Sequence, residues 1–163
     1  MRFTNQIAVI FGAGRGIGKA IATRLSSEGA KLIIADILID EIEKVKQQIL
    51  DTGDSVEAYT LDISDEKKSN LCIQKIFNKH KKIDILINTV GIVGPSSCPI
   101  ENYDLEDFIQ VINVNLTGAF IVSKAVIPIM KKLNYGRILH IASIAGKEGN
   151  PGMVGYTASK AAL

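Results

Sequence analysis

The chain is 163 residues long, 47% hydrophobic and 22% charged, which excludes a disordered segment and suffices for one domain with its own core. Nineteen basic residues against seventeen acidic ones leave a net charge of +2, too balanced to point to nucleic acid or to a membrane surface as partner. Cys72 and Cys98 are isolated, with no CxxC and no His at metal spacing, so neither a disulfide framework nor a zinc site is expected.

Residues 1–6 lack the apolar region of a signal peptide. No stretch reaches the roughly 18 uninterrupted apolar residues of a spanning helix, so a cytoplasmic location is expected. Residues 7–11 are five apolar residues running straight into a glycine-dense turn. Helical periodicity follows over 19–28, with Gly29 placed to end the helix. A second buried strand over 31–35 ends at Asp36, and a helix with a charged outer face covers about 38–50. Residues 56–61 alternate as a third strand and run into Asp62. Ser64 is the expected N-cap of a helix reaching about Lys79, and Lys79-His80-Lys81-Lys82 reads as a solvated cationic helix end. Residues 83–88 form strand four and 92–102 a loop rich in proline and serine. Two helical stretches, 104–113 and 115–133, flank Asn115. Residues 136–142 form strand five, 143–152 a second glycine-rich loop, and 154–163 the start of a last helix.

Strands alternating with helices of 10–15 residues predict an α/β fold, a doubly wound parallel sheet of the Rossmann type in a single domain spanning 1–163. Ligands are then expected at the carboxyl ends of the strands, where Gly12, Asp36, Asp62, Asn88 and Ser143 all fall.

The glycine turn admits several readings. The pattern G-x-G-x-x-G matches at Gly12 and Gly14 but fails at Ile17. The P-loop pattern has Ala13 and Ala20 where a glycine and a hydroxyl belong. The spacing Gly12-x-x-x-Gly16-x-Gly18 fits throughout. A turn that merely links strand to helix is the plain alternative; a phosphate held by a helix N-terminus is the functional one. Asp36 lies twenty residues after Gly16, the offset at which a carboxylate accepts from both ribose hydroxyls and repels a 2′-phosphate. NAD is therefore favoured over NADP, with Arg15 as the counter-argument and a helix N-cap as the other use of Asp36. Tyr156 and Lys160 are four residues apart on one helical face. A cation beside a phenol favours the phenolate and suits it to proton exchange near neutrality, although such a pair also occurs as a solvated one.

Taken together, Gly12-x-x-x-Gly16-Ile17-Gly18, Asp62, Asn88-x-x-Gly91, Asn115, Ser143 and Tyr156-x-x-x-Lys160 resemble the short-chain dehydrogenase/reductases over the whole chain. The resemblance implies that Tyr156 exchanges the proton with a ketone or alcohol, Ser143 hydrogen-bonds the substrate oxygen, Lys160 holds the nicotinamide ribose, and Asn115 anchors a water in the proton path. It places Gly12, Arg15, Gly16, Ile17, Gly18, Asp36, Asp62, Ile63, Asn88, Gly91, Tyr156 and Lys160 against the cofactor. The expected reaction is hydride transfer between NAD(H) and a small secondary alcohol or ketone. Residues 143–151 resemble the loop of members acting on sugar acids and of 3-oxoacyl-carrier-protein reductases. Relatives are commonly homo-oligomers.

Two positions depart from the family pattern. Phe11 stands where a threonine tying strand one to strand four is usual, and Thr89-Val90 replace Asn-Ala. The family also continues well past Tyr-x-x-x-Lys, whereas this sequence stops three residues after Lys160. The expectation is an incomplete enzyme with an open apolar edge on strand five, lacking the part that selects substrate. A non-catalytic dinucleotide-binding protein, or an inactive fragment that does not fold stably, are the alternatives.

Overall fold

The apolar run Ile7–Phe11 (β1) is buried at every position because it lies in the middle of a sheet covered on both faces. A computed structural model describes residues 1–163. Lys31–Asp36 (β2) and Ile85–Asn88 (β4) pair with β1 on either side, Val56–Thr60 (β3) with β2, and Arg137–His140 (β5) with β4. All pairings are parallel, and the order is β3-β2-β1-β4-β5.

Side-chain alternation sorts the core into two layers. Val9 and Phe11 of β1, with Ile33, Ala35 and Leu86, pack against Glu66–His80 (α3) through Ile73 and Ile76 and against Gly118–Lys132 (α5) through Val122 and Val126. Ala8 and Ile10, with Leu32, Ile34 and Ile87, face Gly16–Ser27 (α1) through Ala22 and Leu25 and Ile39–Leu50 (α2) through Ile42 and Val45. Each such buried Ile, Leu or Phe contributes about 1.5–3 kcal/mol. The chain crosses from β3 back past β1 to β4, so the strand order switches between β1 and β4. A crevice opens there at their carboxyl ends.

Several expected boundaries move, each for a local reason. Asp65, not Ser64, caps α3: its carboxylate accepts from Lys68 N, while Ser64 turns back to Asp62. Residues 105–132 are one rod, with Leu105–Ile112 (α4) joined to α5 through a π-helical turn, Asn113–Thr117. By length and composition that rod could cross a membrane. Its buried residues Val122, Val126 and Met130 instead join the core layer of Val9 and Phe11. The loop 92–102 contains a 3₁₀ turn at Ile100–Asn102, and the loop after β5 contains a short helix, Ala145–Glu148 (α6), before Val154–Ala162 (α7). The cationic helix end is only partly solvated, since Lys79 pairs with Glu57 and the His80 ring is buried beside the same carboxylate. Along β5, Ile138 and Leu139 are exposed, as expected for an open edge.

Protonation of these groups sets the pH dependence of stability. Burial holds both His80 and His140 below their usual value of 6.5, so the unfolded chain binds more protons as pH falls through that value. Stability is therefore expected to decline already between pH 7 and 5. A second decline follows because Arg2 and Arg24 hold Glu28 at about 2, Lys44 holds Glu41 low, and the backbone N–H of Lys68 holds Asp65 low. Those carboxylates lose their partners on acidification through their folded values. Urea midpoints at pH 7.5, 5.5 and 4 should fall in that order; a midpoint flat from 7.5 to 5.5 contradicts the histidine contribution.

Candidate functional site

Gly12 leaves β1 with φ +79, and Arg15, in extended conformation, stands at the N-cap of α1. The first-turn N–H groups of α1 have no intrahelical partners and point to the crevice mouth, the arrangement that holds a phosphate. The turn is clamped from both sides. Gly12 N and Ala13 N donate to Ala35 O, and Gly14 N donates to Asp36 Oδ2 at 2.8 Å. The other Asp36 oxygen accepts from Leu38 N at 3.0 Å. Asp36 is thus not the cap of α2, a place taken by Leu38. It is a nearly buried carboxylate shared by the turns after β1 and β2.

The hydroxyl missing at Phe11 is supplied from the opposite strand. Thr89 Oγ1 lies 3.0 Å from both Phe11 O and Gly12 O and ties the end of β4 to the end of β1. This crossing leaves no room on α1: a Cβ at Gly18 would lie 2.1 Å from Gly12 O and 2.6 Å from Thr89 Oγ1.

Behind the turn lies a cavity of about 390 Å³ lined by Gly12, Arg15, Ile17, Gly18, Asp36, Asp62, Ile63 and Gly91 among the expected residues. Leu61, Thr89, Val90 and Gln110 are among its other walls. Asp62 is oriented by Ser64, whose N–H and hydroxyl both donate to Oδ1. Gly16, Asn88, Asn115, Ser143, Tyr156 and Lys160 do not line the cavity. Asn88 is buried immediately behind the wall, its Oδ1 accepting from Val90 N at 3.0 Å.

Gly91 is the junction between the cavity and the remaining residues. A Cβ there would lie 3.4 Å from Lys160 Nζ and 3.5 Å from Asn115 Oδ1. Lys160 is buried, donates to Ile141 O at 2.7 Å, and sits 5.9 Å from the centroid of the Tyr156 ring. Burial pushes its ammonium below the usual lysine value. Asn115, fully buried in the π turn, accepts from Ile92 N at 2.8 Å and donates to Ile92 O and to Ser159 Oγ, both at 2.9 Å. The helix is therefore widened at Asn115 and not broken. Ser143 closes β5's exit turn by accepting from Ala145 N at 3.2 Å.

A family model for short chain dehydrogenase matches residues 6–163. The chain belongs to this family. It is 34% identical over 163 residues to the 3-oxoacyl-(acyl-carrier-protein) reductase of Thermotoga maritima, covering 100% of this chain and 65% of that protein. It is 34% identical over 162 residues to the 2-dehydro-3-deoxy-L-rhamnonate dehydrogenase (NAD(+)) of a Sphingomonas species, covering 99% of this chain and 63% of that one. A metagenomic short-chain oxidoreductase solved in complex with NADP superposes with a TM-score of 0.95 at 30% identity, covering 100% of this chain and 73% of that chain. The chain thus spans less than two thirds of the length of both curated relatives.

In this chain three structural partners of the site lie outside the expected set. Gly14 sits where a Cβ would lie 2.9 Å from Asp36 Oδ2; its signal was the G-x-G spacing with Gly12. Thr89 was legible only as a hydroxyl at a strand end. Ser159, completely buried, accepts from Asn115 and donates to Tyr156 O at 2.8 Å; a serine inside the Tyr-to-Lys interval carries no signal of its own. Gly18→Ala is expected to cost about 1–3 kcal/mol through overpacking against a backbone carbonyl. Thermal melts of the two proteins check this, and an unchanged melting temperature contradicts the crossing as a tight contact.

Proposed function

We propose that this chain forms the dinucleotide-binding and proton-transferring part of an NAD-dependent oxidoreductase that interconverts a secondary alcohol and a ketone. The supporting observation is the arrangement around Gly91, which lines the cavity on one side and meets Lys160 and Asn115 on the other. The residues present fit a dinucleotide: a helix N-terminus for the pyrophosphate, Gly12 and Gly18 letting β1, β4 and α1 close up beneath it, and Asp36 at the end of β2 for the adenosine ribose. The Asp36 carboxylate repels a 2′-phosphate, and Arg15 on the cavity rim only partly offsets it, so NAD is assigned over NADP.

When bound, the dinucleotide supplies or accepts the hydride. Tyr156 exchanges the accompanying proton with the substrate oxygen, and Ser143 holds that oxygen by a hydrogen bond. Lys160, held in place by Ile141 O, would bind the nicotinamide ribose. Asn115 orders the path by which Lys160 is reprotonated. Asp62, Ile63, Asn88 and Gly91 position the adenosine side, with Gly12, Gly16, Ile17 and Gly18 at the phosphates and beyond.

The substrate assigned is a small 3-oxoacyl or sugar-acid carbonyl compound, in keeping with what the two curated relatives are named for. Exposed Leu105, Ile109, Phe120 and Ile127, at whole-turn spacings along α4 and α5, support a homo-oligomer. We assign the enzyme to the cytoplasm.

The test is a fluorescence titration with NADH and NADPH, followed by assay of the full-length protein against 3-oxoacyl thioesters and keto sugar acids. NADH should bind more tightly and be oxidised by at least one substrate class. Tighter NADPH binding overturns the cofactor assignment. Saturable NADH binding with no oxidation across the panel turns the reading to a non-catalytic dinucleotide-binding protein.

A further inference from the structure

Parallel pairing of β4 with β5 sets Asn88 directly opposite His140, at the carboxyl ends of both strands. The side chains meet there. Asn88 Nδ2 lies 3.4 Å from His140 Nδ1, and His140 Nε2 lies 2.9 Å from Ser123 Oγ on α5. The identity of each donor follows from the ends of this chain. Val90 N–H can only donate, so the Asn88 atom 3.0 Å from it is the carbonyl oxygen, and the amide NH₂ must face the ring. Nδ1 therefore accepts. At the other end Ser123 spends its proton on Ala119 O at 2.8 Å, so its oxygen accepts from Nε2–H. Every bond runs in one direction, from Asn88 through His140 and Ser123 to Ala119. Only the neutral, Nε2-protonated ring completes it.

We propose that neutral His140 is a positioning residue for the dinucleotide cavity, and that a proton on Nδ1 reverses the Asn88 amide and releases the Val90 wall. A second ring proton would set N–H against NH₂. Rotating the amide by half a turn relieves that contact by presenting Oδ1 to Nδ1–H, but it brings NH₂ against Val90 N–H. The two hydrogen bonds cannot both survive. Val90, Thr89 and Gly91 all line the cavity, so the loss is felt where the nucleotide would sit. The next residue joins the same network to the lysine: Ile141 N donates to Asn88 O, and Ile141 O accepts from Lys160 Nζ.

The groups facing the ring are few. β4 presents the Asn88 amide and α5 the Ser123 hydroxyl, both uncharged, and the Lys160 ammonium of α7 is the charge acting on it. Burial first, and Lys160 second, hold the imidazole below its usual 6.5. Near neutral pH the ring is accordingly uncharged and the wall is set.

The role in nucleotide binding rests on the cavity being the dinucleotide site; the amide reversal does not. Two measurements separate them. Imidazole ¹⁵N shifts of the nucleotide-free protein should report the Nε2–H tautomer at pH 7.5, and the Val90 amide proton should shift with the His140 titration. NADH affinity should weaken by about three- to tenfold between pH 7 and 5, the scale of one lost hydrogen bond. His140→Gln should flatten that limb, whereas His80→Gln, at the only other histidine, should keep it. An Nδ1–H tautomer, or a limb that persists in His140→Gln, overturns the proposal. Absence of NADH binding at every pH, with Val90 still following the His140 titration, upholds the amide reversal and overturns the nucleotide reading.

Discussion

Tyr156→Phe is expected to lower turnover by about 10²–10⁴-fold, the usual worth of a placed proton donor, while the Kd for NADH stays within about threefold. The substitution removes one hydroxyl and keeps the ring, so α7 packs as before. The cavity walls from Gly12 to Gly18 and at Asp36 and Asp62, which would carry most of the nucleotide contacts, do not include Tyr156. Lys160 remains where burial and Ile141 O hold it, 5.9 Å from the ring centroid. A fall in kcat with an unchanged nucleotide Kd is the signature of a group that acts on the reacting atoms and not on ground-state binding. Stopped-flow NADH binding and steady-state turnover on the full-length protein separate the two. Retained turnover in Tyr156→Phe removes the phenol from the mechanism. A lost nucleotide affinity reassigns Tyr156 to the cofactor pocket.

The middle of the sheet was legible because β1, β2 and β4 are buried on both faces, which makes them short apolar runs that end in glycine or polar residues. Polar residues at the ends of such runs must then gather on one rim, which is how Gly12, Asp36, Asp62, Asn88 and Ser143 could be grouped before any geometry. Local competition was harder to read. Ser64 and Asp65 are adjacent and both cap well; Asp62 captures the serine and leaves the cap to Asp65. Ala145–Glu148 is one turn inside a glycine-rich loop, too short to show a period. Which side chain makes a given contact between distant elements was not legible. Thr89 compensating Phe11 depends on which strand is neighbour to which, as does His140 reaching Asn88. Both become derivable only once β4 is known to lie between β1 and β5. Asn115 falls between the two cases: its helix-disturbing position was visible, but the three partners that make use of it come from elements far apart in sequence.

Asn115→Leu is expected to destabilise the protein by about 3–6 kcal/mol, enough to leave little of a typical domain's ~5–15 kcal/mol. Leucine keeps the branching and heavy-atom count of asparagine, so lost hydrogen bonds dominate, with overpacking by its bulkier methyl groups adding to the cost. Three bonds vanish together, and both the N–H and the C=O of Ile92 are left without their partner. Each part-buried group so stranded costs up to about 1–3 kcal/mol. The π turn magnifies the effect. Gly118 N reaches back to Asn113 O, a register that widens the helix at Asn115, and without the side-chain bonds to Ile92 nothing visible favours it over an ordinary helix. Relaxing the bulge would shift α4 against α7, which it packs on, and so move Lys160 relative to Gly91. Ser159→Ala removes one of the three bonds and is expected to cost about 1 kcal/mol. Because the two residues are bonded to each other, the double variant should be less destabilised than the sum of the singles. Urea melts of all four proteins measure that coupling. Additive losses would mean that Asn115 and Ser159 act independently, and a change under 1 kcal/mol in Asn115→Leu would remove the asparagine as the clamp between the cavity loop and α7.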